Sequence, residues 1–276
     1  MSLTDFASAM DDFRKARAQA ALEEVMARLT GRPVGLLSYD HVRRKLKAVT
    51  GERCGMQDIP LDAIIGSVGR YGDFTRSFLP RVDKDAERWA RVEVASQELA
   101  GLPPIEVYQI GQVYFVLDGN HRVSVARQLG VTTIQANVTL VHTRVPLTPD
   151  VRPDDLILKA EYAEFLGRTH LDEIRPQADL TVTAPGQYQK LEEHIEVHRY
   201  FMGLDYRRDI LYDQALGHWH DEVYLPAVHA IRRHNLLRNF PGRTETDLYL
   251  WLGDHCAALE QELGWQIKLE AAVADL

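Results

Sequence analysis

Residues 113–129 read Val-Tyr-Phe-Val-Leu-Asp-Gly-Asn-His-Arg-Val-Ser-Val-Ala-Arg-Gln-Leu, and the rest of the predicted fold is arranged around them. The first five residues are β-branched, aromatic or aliphatic, which is typical of a buried strand. Asp118 and Gly119 interrupt this pattern. Apolar residues then recur at helical spacing as far as Gly130, a residue type that commonly ends helices. The sequence therefore predicts a strand, a tight turn and a helix in direct succession.

Polar side chains lie where this predicted helix begins. The first N–H groups of a helix lack partners and carry the positive end of its dipole, so they attract anions. Gly119 allows a ligand to approach the backbone, and the Arg122 guanidinium suits phosphate or carboxylate. A structural alternative stays open, in which Asp118 or Asn120 only caps the helix and Arg122 lies on the surface. The predicted ligand-binding residues of the junction are Gly119, Asn120, His121, Arg122 and Ser124.

The Asp-Gly-Asn-His-Arg box at 118–122 resembles the signature of the ParB N-terminal/sulfiredoxin-like superfamily. Three further stretches resemble strands of that fold in the right order: 58–64, 102–107 and 134–138. The resemblance covers about residues 56–145. It implies an α+β fold with a mixed sheet, and a Gly-x-x-Arg segment that binds nucleotide phosphates. The implied cofactor is a nucleoside phosphate of unknown identity.

A glycine-rich loop, Gly-Ser-Val-Gly-Arg-Tyr-Gly-Asp at 66–73, follows a predicted strand at 59–65. Glycine-rich sequence alone indicates only a flexible turn. In the resembled fold, the loop after the first strand carries an arginine near the nucleotide. Arg70 is therefore expected to close over the ligand. Arg76 and Arg81, on or after a short predicted helix at 73–79, are weaker candidates.

This sequence departs from two branches of the superfamily. Sulfiredoxin chemistry needs a cysteine directly after the junction glycine, where this chain has Asn120, so such a reductase is not expected. Partition proteins carry a glutamate and paired arginines in this box, followed by a helix-turn-helix. Here Asn120 and His121 replace the Glu-Arg pair, and no helix-turn-helix spacing follows Pro153.

The free-serine kinase branch has a box closer to this one, resembling Asp-Gly-x-His-Arg. That resemblance implies catalytic roles for His121, which would steady phosphoryl oxygens, and for Asp118, which would orient a hydroxyl or Mg²⁺. Three hypotheses stay open: a regulatory nucleotide-binding module, a Mg²⁺-dependent phosphotransferase or nucleotide hydrolase, and a DNA-binding transcriptional or partition-type regulator. Whether the protein is an enzyme is left undecided.

Charge is distributed unevenly along the 276 residues. Residues 1–142 carry a net charge of +1 and residues 143–276 carry −9. The acidic half should repel a duplex backbone, which disfavours DNA as its partner.

No run approaches the roughly 18 apolar residues of a membrane span, and the two cysteines fit a reducing compartment. We expect a cytoplasmic protein with no membrane partner.

The chain is predicted to have three parts: an N-terminal helical arm (1–55), a ParB/sulfiredoxin-like domain (56–145) and an acidic, mainly helical domain (146–276). The strong helical segments are 4–29, 83–100, 155–166, 188–202, 210–234 and 245–263, with a β-like stretch at 180–183. By analogy with partition proteins, the arm and the aromatic-rich helical part are expected to form a homodimer. Residues 198–203 and 240–251 resemble a bacterial domain of unknown function.

Two features of the acidic half have structural explanations. His194 and His198 share a helix face, and His218 or His220 would complete a metal site, but histidines at the edge of the core are favoured, so no metal is predicted. The Thr-Glu-Thr-Asp stretch at 244–247 is typical of a helix capping box.

Overall fold

A computed structural model describes residues 3–31, 33–96 and 102–263. The chain folds into two compact units, Met1–Leu156 and Ile157–Leu276. The first unit takes in both the predicted helical arm and the predicted ParB-like region. Among the described residues, no helix combines the length and the apolar character that crossing a membrane requires.

One mixed sheet forms the centre of the first unit, with described strands in the order β1-β3-β5-β4-β6-β2. Three neighbouring pairs are parallel, and β4/β5 and β2/β6 are antiparallel. The strands are β1 (Leu37–Ser38), β2 (Val49–Pro60), β3 (Ile64–Ser67), β4 (Ile105–Ile110), β5 (Val113–Asp118) and β6 (Thr133–His142). Together with the helices, this sheet confirms the predicted α+β class.

The helices of the first unit lie on both faces of the sheet. They are α1 (Leu3–Thr30), α2 (Tyr39–Lys45), α3 (Ala86–Ser96) and α4 (Asn120–Gln128). Val123 and Ala126 of α4 pack on one face, and Val42 of α2 belongs to the core of the other. Trp89 of α3 packs between α4 and Phe13 of α1. This layering of α1 on α3 and α3 on α4 places the first turn of α3 beside the start of α4.

The predicted strand, turn and helix at 113–129 are confirmed as β5, Gly119 and α4, and Gly130 follows with a φ of +73°. The predicted hairpin is confirmed as β4 and β5. The predicted strand at 59–65 is wrong in its bounds, because Pro60 and a 3-10 turn at Leu61–Ala63 divide it between β2 and β3. Most of β2 is exposed, so its sequence lacks the alternation of a half-buried strand.

Two other expectations in this unit are corrected. Residues 73–79 form turns instead of a helix, because Phe74 and Thr75 make isolated β-bridges to Pro80 and Gly35. The helix expected at 83–100 begins with a 3-10 turn at Asp83–Asp85 and continues as α3. Its expected inward-facing Leu99 lies outside the described residues.

The second unit consists of helices connected by loops. They are α5 (Asp155–Thr169), α6 (Leu171–Ile174), α7 (Gln187–Tyr206), α8 (Tyr212–Trp219), α9 (Leu225–Arg233) and α10 (Glu245–Leu263). The helix predicted at 210–234 is confirmed as a continuous helical segment from Tyr212 to Arg233, in which a π-helical turn at His220–Tyr224 lies between α8 and α9. Pro226 explains the change of register, because it lacks the N–H that an α-helix needs there.

The β-like stretch expected at 180–183 does not form a strand in this described segment. Two of its backbone N–H groups donate to side chains and not to a neighbouring strand: Leu180 N–H donates to Tyr162 Oη, and Thr183 N–H donates to Asp247. The predicted capping box is present at the start of α10. There the Asp247 amide donates to Thr244 Oγ1 at 3.1 Å, and the Thr244 amide donates to Asp247 Oδ2 at 2.9 Å.

Candidate functional site

Gly119 makes the turn between β5 and α4, and no other residue type fits there without strain. Its φ is +110°, which favours glycine, and it stands at the N-cap position of α4. A Cβ at this position would lie 2.4 Å from Cγ2 of Ile105, a fully buried residue of β4. The α4 backbone therefore starts directly from the sheet, with its first N–H groups at the edge of the strands.

A cavity of about 190 Å³ opens at this junction. The β5–α4 turn, the loop after β3 and the first turns of α3 supply its walls. Its lining residues are Gly69, Arg70, Arg88, Val92, Leu117, Asp118, Gly119, Asn120, His121 and Arg122. The structure thus brings together all the predicted site residues except Ser124.

Arg70 reaches the junction from the loop after β3, as the sequence predicts. Its Nη1 lies 2.6 Å from Nε2 of His121. Its other nitrogens face carboxylates: Nη2 donates to both oxygens of Asp85 at 3.0 and 3.2 Å, and Nε lies 3.2 Å from Asp73. An incoming anion must therefore share Arg70 with two carboxylates.

His121 is a neutral hydrogen-bonding group in this arrangement. Because a guanidinium can only donate, Nε2 accepts from Arg70 and the ring proton lies on Nδ1. Burial lowers the pKa of His121 to about 4, against the opposing charge of Asp85. Nδ1 is buried and has no hydrogen-bond partner in the described part of the chain. At neutral pH the ring offers a donor and no positive charge.

Arg122 links the segment that precedes β4 to the last residue of β5. Its Nη1 donates to the carbonyls of Pro103 and Pro104, each at 2.7 Å, and its Nη2 forms an ion pair with Asp118. Its side chain is only 14% exposed, so the alternative of a surface arginine is wrong. The alternative that Asp118 or Asn120 caps α4 is also wrong, since the cap residue is Gly119.

Asn120 and Ser124 differ in what they face. Asn120 is buried at the cavity, and its Oδ1 has no hydrogen-bond partner within the described residues. Ser124 is fully buried, and its Oγ accepts from Nε1 of Trp89 at 2.9 Å. Ser124 does not line the cavity, because the second turn of α4 packs against α3. It joins two helices instead of facing a ligand.

Arg88 lines the cavity and is not among the site residues that the sequence predicts. It is exposed on the first turns of α3 and forms no ion pair with any described residue. Its charge helps to lower the pKa of His121. The sequence shows only that a helix begins near Asp83. Which face of that helix meets the junction depends on the packing of α3 on α4.

The weaker arginine candidates have structural partners outside the cavity. Arg76 donates to the carbonyls of Pro149 and Val151, and Arg81 pairs with Glu24 of α1. Among the described residues there is no group of three or more side chains that would hold a metal ion. A Mg²⁺ ion bound mainly by the phosphate oxygens of a ligand needs only one or two protein carboxylates. The exposed carboxylate at the junction is that of Asp118, which is 62% exposed.

Comparison with known proteins adds little to this geometry. No protein-family model matches the chain, and no curated protein matches it. A solved structure of sulfiredoxin from Arabidopsis thaliana is similar over 30% of this chain and 82% of its own, with 19% identity and a TM-score of 0.24. The resemblance of the second unit to a domain of unknown function has no support here and stays a prediction.

Proposed function

We propose that the β5–α4 junction binds the phosphate groups of a nucleotide, and that the first unit acts as a nucleotide-binding module with a regulatory or partner-binding role. The proposal rests mainly on Arg88. This cation lies on the cavity wall, next to the start of α4, and has no anionic partner among the described residues. An anion at that position would face both the Arg88 charge and the positive end of the helix dipole.

The other lining groups support the same ligand chemistry. Gly119 lets an anion approach the first amides of α4, and Arg70 contributes a charge shared with Asp73 and Asp85. A cavity of about 190 Å³ is smaller than the roughly 300–1,000 Å³ of sites that enclose a whole small molecule. It suits phosphate groups, with the sugar and base of the nucleotide outside it.

A second candidate function is a Mg²⁺-dependent phosphotransferase or nucleotide hydrolase that uses the same cavity. The exposed carboxylate of Asp118 favours it, because Mg²⁺ is commonly held by one or two carboxylates together with substrate phosphates. In this function Asp118 would hold the cation, and the neutral His121 ring would orient Arg70 toward a phosphoryl oxygen through its hydrogen bond to Nη1. Arg122 would hold Asp118 in place.

A thermal-shift panel of nucleoside mono-, di- and triphosphates, with and without Mg²⁺, tests the binding function and names the ligand. At about 100 times its dissociation constant, a ligand stabilises the native state by about 2.7 kcal/mol. We expect one nucleotide to raise the melting temperature by several degrees. No shift with any nucleotide would contradict the proposal. Product release that is lost in Asp118→Ala, with nucleotide binding retained, would establish the phosphotransferase or hydrolase function.

A further inference from the structure

The second unit contains a larger cavity that the proposed nucleotide site does not use. Its volume is about 530 Å³, which lies within the range of small-molecule sites. The π-helix and the start of α9 form one wall, the first turn of α10 a second, and the loop after α6 a third. Its lining includes His220, Tyr224, Val228, Arg232, Glu245 and Thr246.

His220 presents a hydrogen-bond acceptor in this cavity. It is 5% exposed, and its Nδ1 lies 2.9 Å from Oδ1 of Asp221. Arg175 holds the same carboxylate through Nε at 3.0 Å and Nη2 at 2.5 Å, so Asp221 is ionised and fixed. A neutral His220 ring therefore carries its proton on Nδ1 and leaves Nε2 as an acceptor. No described residue forms a hydrogen bond with Nε2.

The π-helix turns a second ring toward the same space. His220 and Tyr224 are four residues apart, their ring centroids lie 5.8 Å from each other, and both line the cavity. The Tyr224 hydroxyl is already bonded to Thr246 Oγ1 at 2.8 Å and to the carbonyl of Asp179. Short π-helices are rare and occur frequently at functional sites. Among the described residues, Nε2 of His220 is thus the free acceptor, and the Tyr224 ring beside it is held in place by its hydroxyl.

The two arginines of the cavity wall and Glu245 are paired within the protein, and the exposed Asp179 carboxylate accepts from the Thr181 N–H. Arg175 is paired with Asp221, and Arg232 binds both oxygens of Glu245 at 2.6 and 2.7 Å. Three aliphatic side chains, those of Leu225, Val228 and Leu237, add apolar surface to the wall. An anionic ligand would have to take Arg175 or Arg232 from its carboxylate, whereas an apolar body needs no rearrangement.

We propose that this cavity binds an uncharged organic molecule with an apolar body and one hydroxyl or N–H group, which donates its hydrogen bond to Nε2 of His220. The proposal is independent of the nucleotide site, because every group that it uses belongs to the second unit.

Three probes of the same shape test this chemistry on the full chain: 4-methylphenol, toluene and 4-methylbenzoate. Ligand-observed NMR titration gives a dissociation constant for each. We expect 4-methylphenol to bind about tenfold more tightly than the other two, since only it is both uncharged and a hydrogen-bond donor. Saturable binding of 4-methylphenol that is no tighter than that of toluene, tighter binding of the carboxylate, or no saturable binding of 4-methylphenol would overturn the proposal.

Variants locate the bound probe. His220→Asn keeps a donor toward Asp221 and removes the Nε2 acceptor, so 4-methylphenol binding should weaken about tenfold. His229→Asn, the same substitution at an exposed position of α9, should leave binding unchanged. Val228→Phe should weaken binding, because the larger side chain takes up part of the cavity. Unchanged binding in both His220→Asn and Val228→Phe would overturn the proposal, and where His220→Asn does not fold, Val228→Phe and the ranking of the probes decide.

Discussion

Arg70 and His121 lie 51 positions apart in the sequence and are joined by a 2.6 Å hydrogen bond between Nη1 and Nε2. This contact connects the loop after β3 to the first turn of α4. Because Asp85 and Asp73 also bind Arg70, the junction is a network of one guanidinium, two carboxylates and one neutral ring. Arg70 is fully engaged by these two carboxylates, so Arg88 is the cavity cation without an ion pair among the described residues.

The buried His121 should make the protein less stable in acid. The folded-state pKa is lowered to about 4, while the unfolded ring titrates near 6.5. The unfolded chain therefore binds more protons between these values, and the free energy of unfolding should fall as pH decreases from about 6.5 to about 4. Urea unfolding at several pH values checks this for wild type and His121→Gln. An equal acid dependence in the two proteins would contradict the assignment.

Glu93 should produce the opposite pH dependence. It is buried where α3 meets α1, and burial together with the nearby Asp12 raises its pKa to about 7. The folded state then binds more protons than the unfolded state between about 4.5 and 7, so stability should decrease as pH rises through this range. Glu93→Gln should remove this decrease, whereas Glu87→Gln on the exposed side of α3 should keep it. Urea unfolding midpoints at pH 5 and 8 would show the difference, and identical pH profiles for wild type and Glu93→Gln would rule it out.

Gly119→Ala should cost more stability than Gly130→Ala. Both glycines have positive φ, so alanine strains the backbone at either position by about 1–2 kcal/mol. Only at Gly119 would the new Cβ also collide with Ile105, since nothing lies within 4 Å of a Cβ at Gly130. Chemical denaturation of both variants measures the difference in the free energy of unfolding. Equal losses would show that the contact with Ile105 can relax.

The end of α1 carries an exposed apolar stripe that fits the proposed homodimer. Leu22, Val25, Met26 and Leu29 are between 52% and 76% exposed, at helical spacing. We expect light scattering to give twice the monomer mass of 31.4 kDa, and Val25→Glu with Met26→Glu to return the chain to a monomer. A wild-type mass of one chain would reject the dimer.

The fold around the junction could be predicted from the sequence because its signals are local. A run of β-branched and aromatic residues, Gly119, and a helical apolar period define β5 and α4 within 17 residues. The exposed strand β2 lacks such a signal, and the turns at Phe74 and Thr75 arise from pairing with distant residues. Pro226 was the available sign of the π-helix.

The candidate site was predictable only in part, because only some of its residues belong to a local sequence pattern. Gly119 to Arg122 follow from the local pattern, and Arg70 came from the family resemblance. Arg88 and the inward direction of Ser124 depend on how α3 packs on α4 through Trp89. No spacing along the chain encodes that orientation, so these two residues required the structure.

The most direct test of phosphate binding at the β5–α4 junction is calorimetric titration of two variants, Arg88→Ala and Arg91→Ala. The ligand is the nucleotide that raises the melting temperature in the thermal-shift panel. Both arginines lie on α3, but Arg91 is paired with Glu87 on the exposed face and does not line the cavity. We predict that Arg88→Ala weakens binding by about tenfold or more, since a charge-assisted contact contributes about 1.5–3 kcal/mol, and that Arg91→Ala binds as wild type does. Equal affinity in the two variants would contradict a phosphate site at the β5–α4 junction.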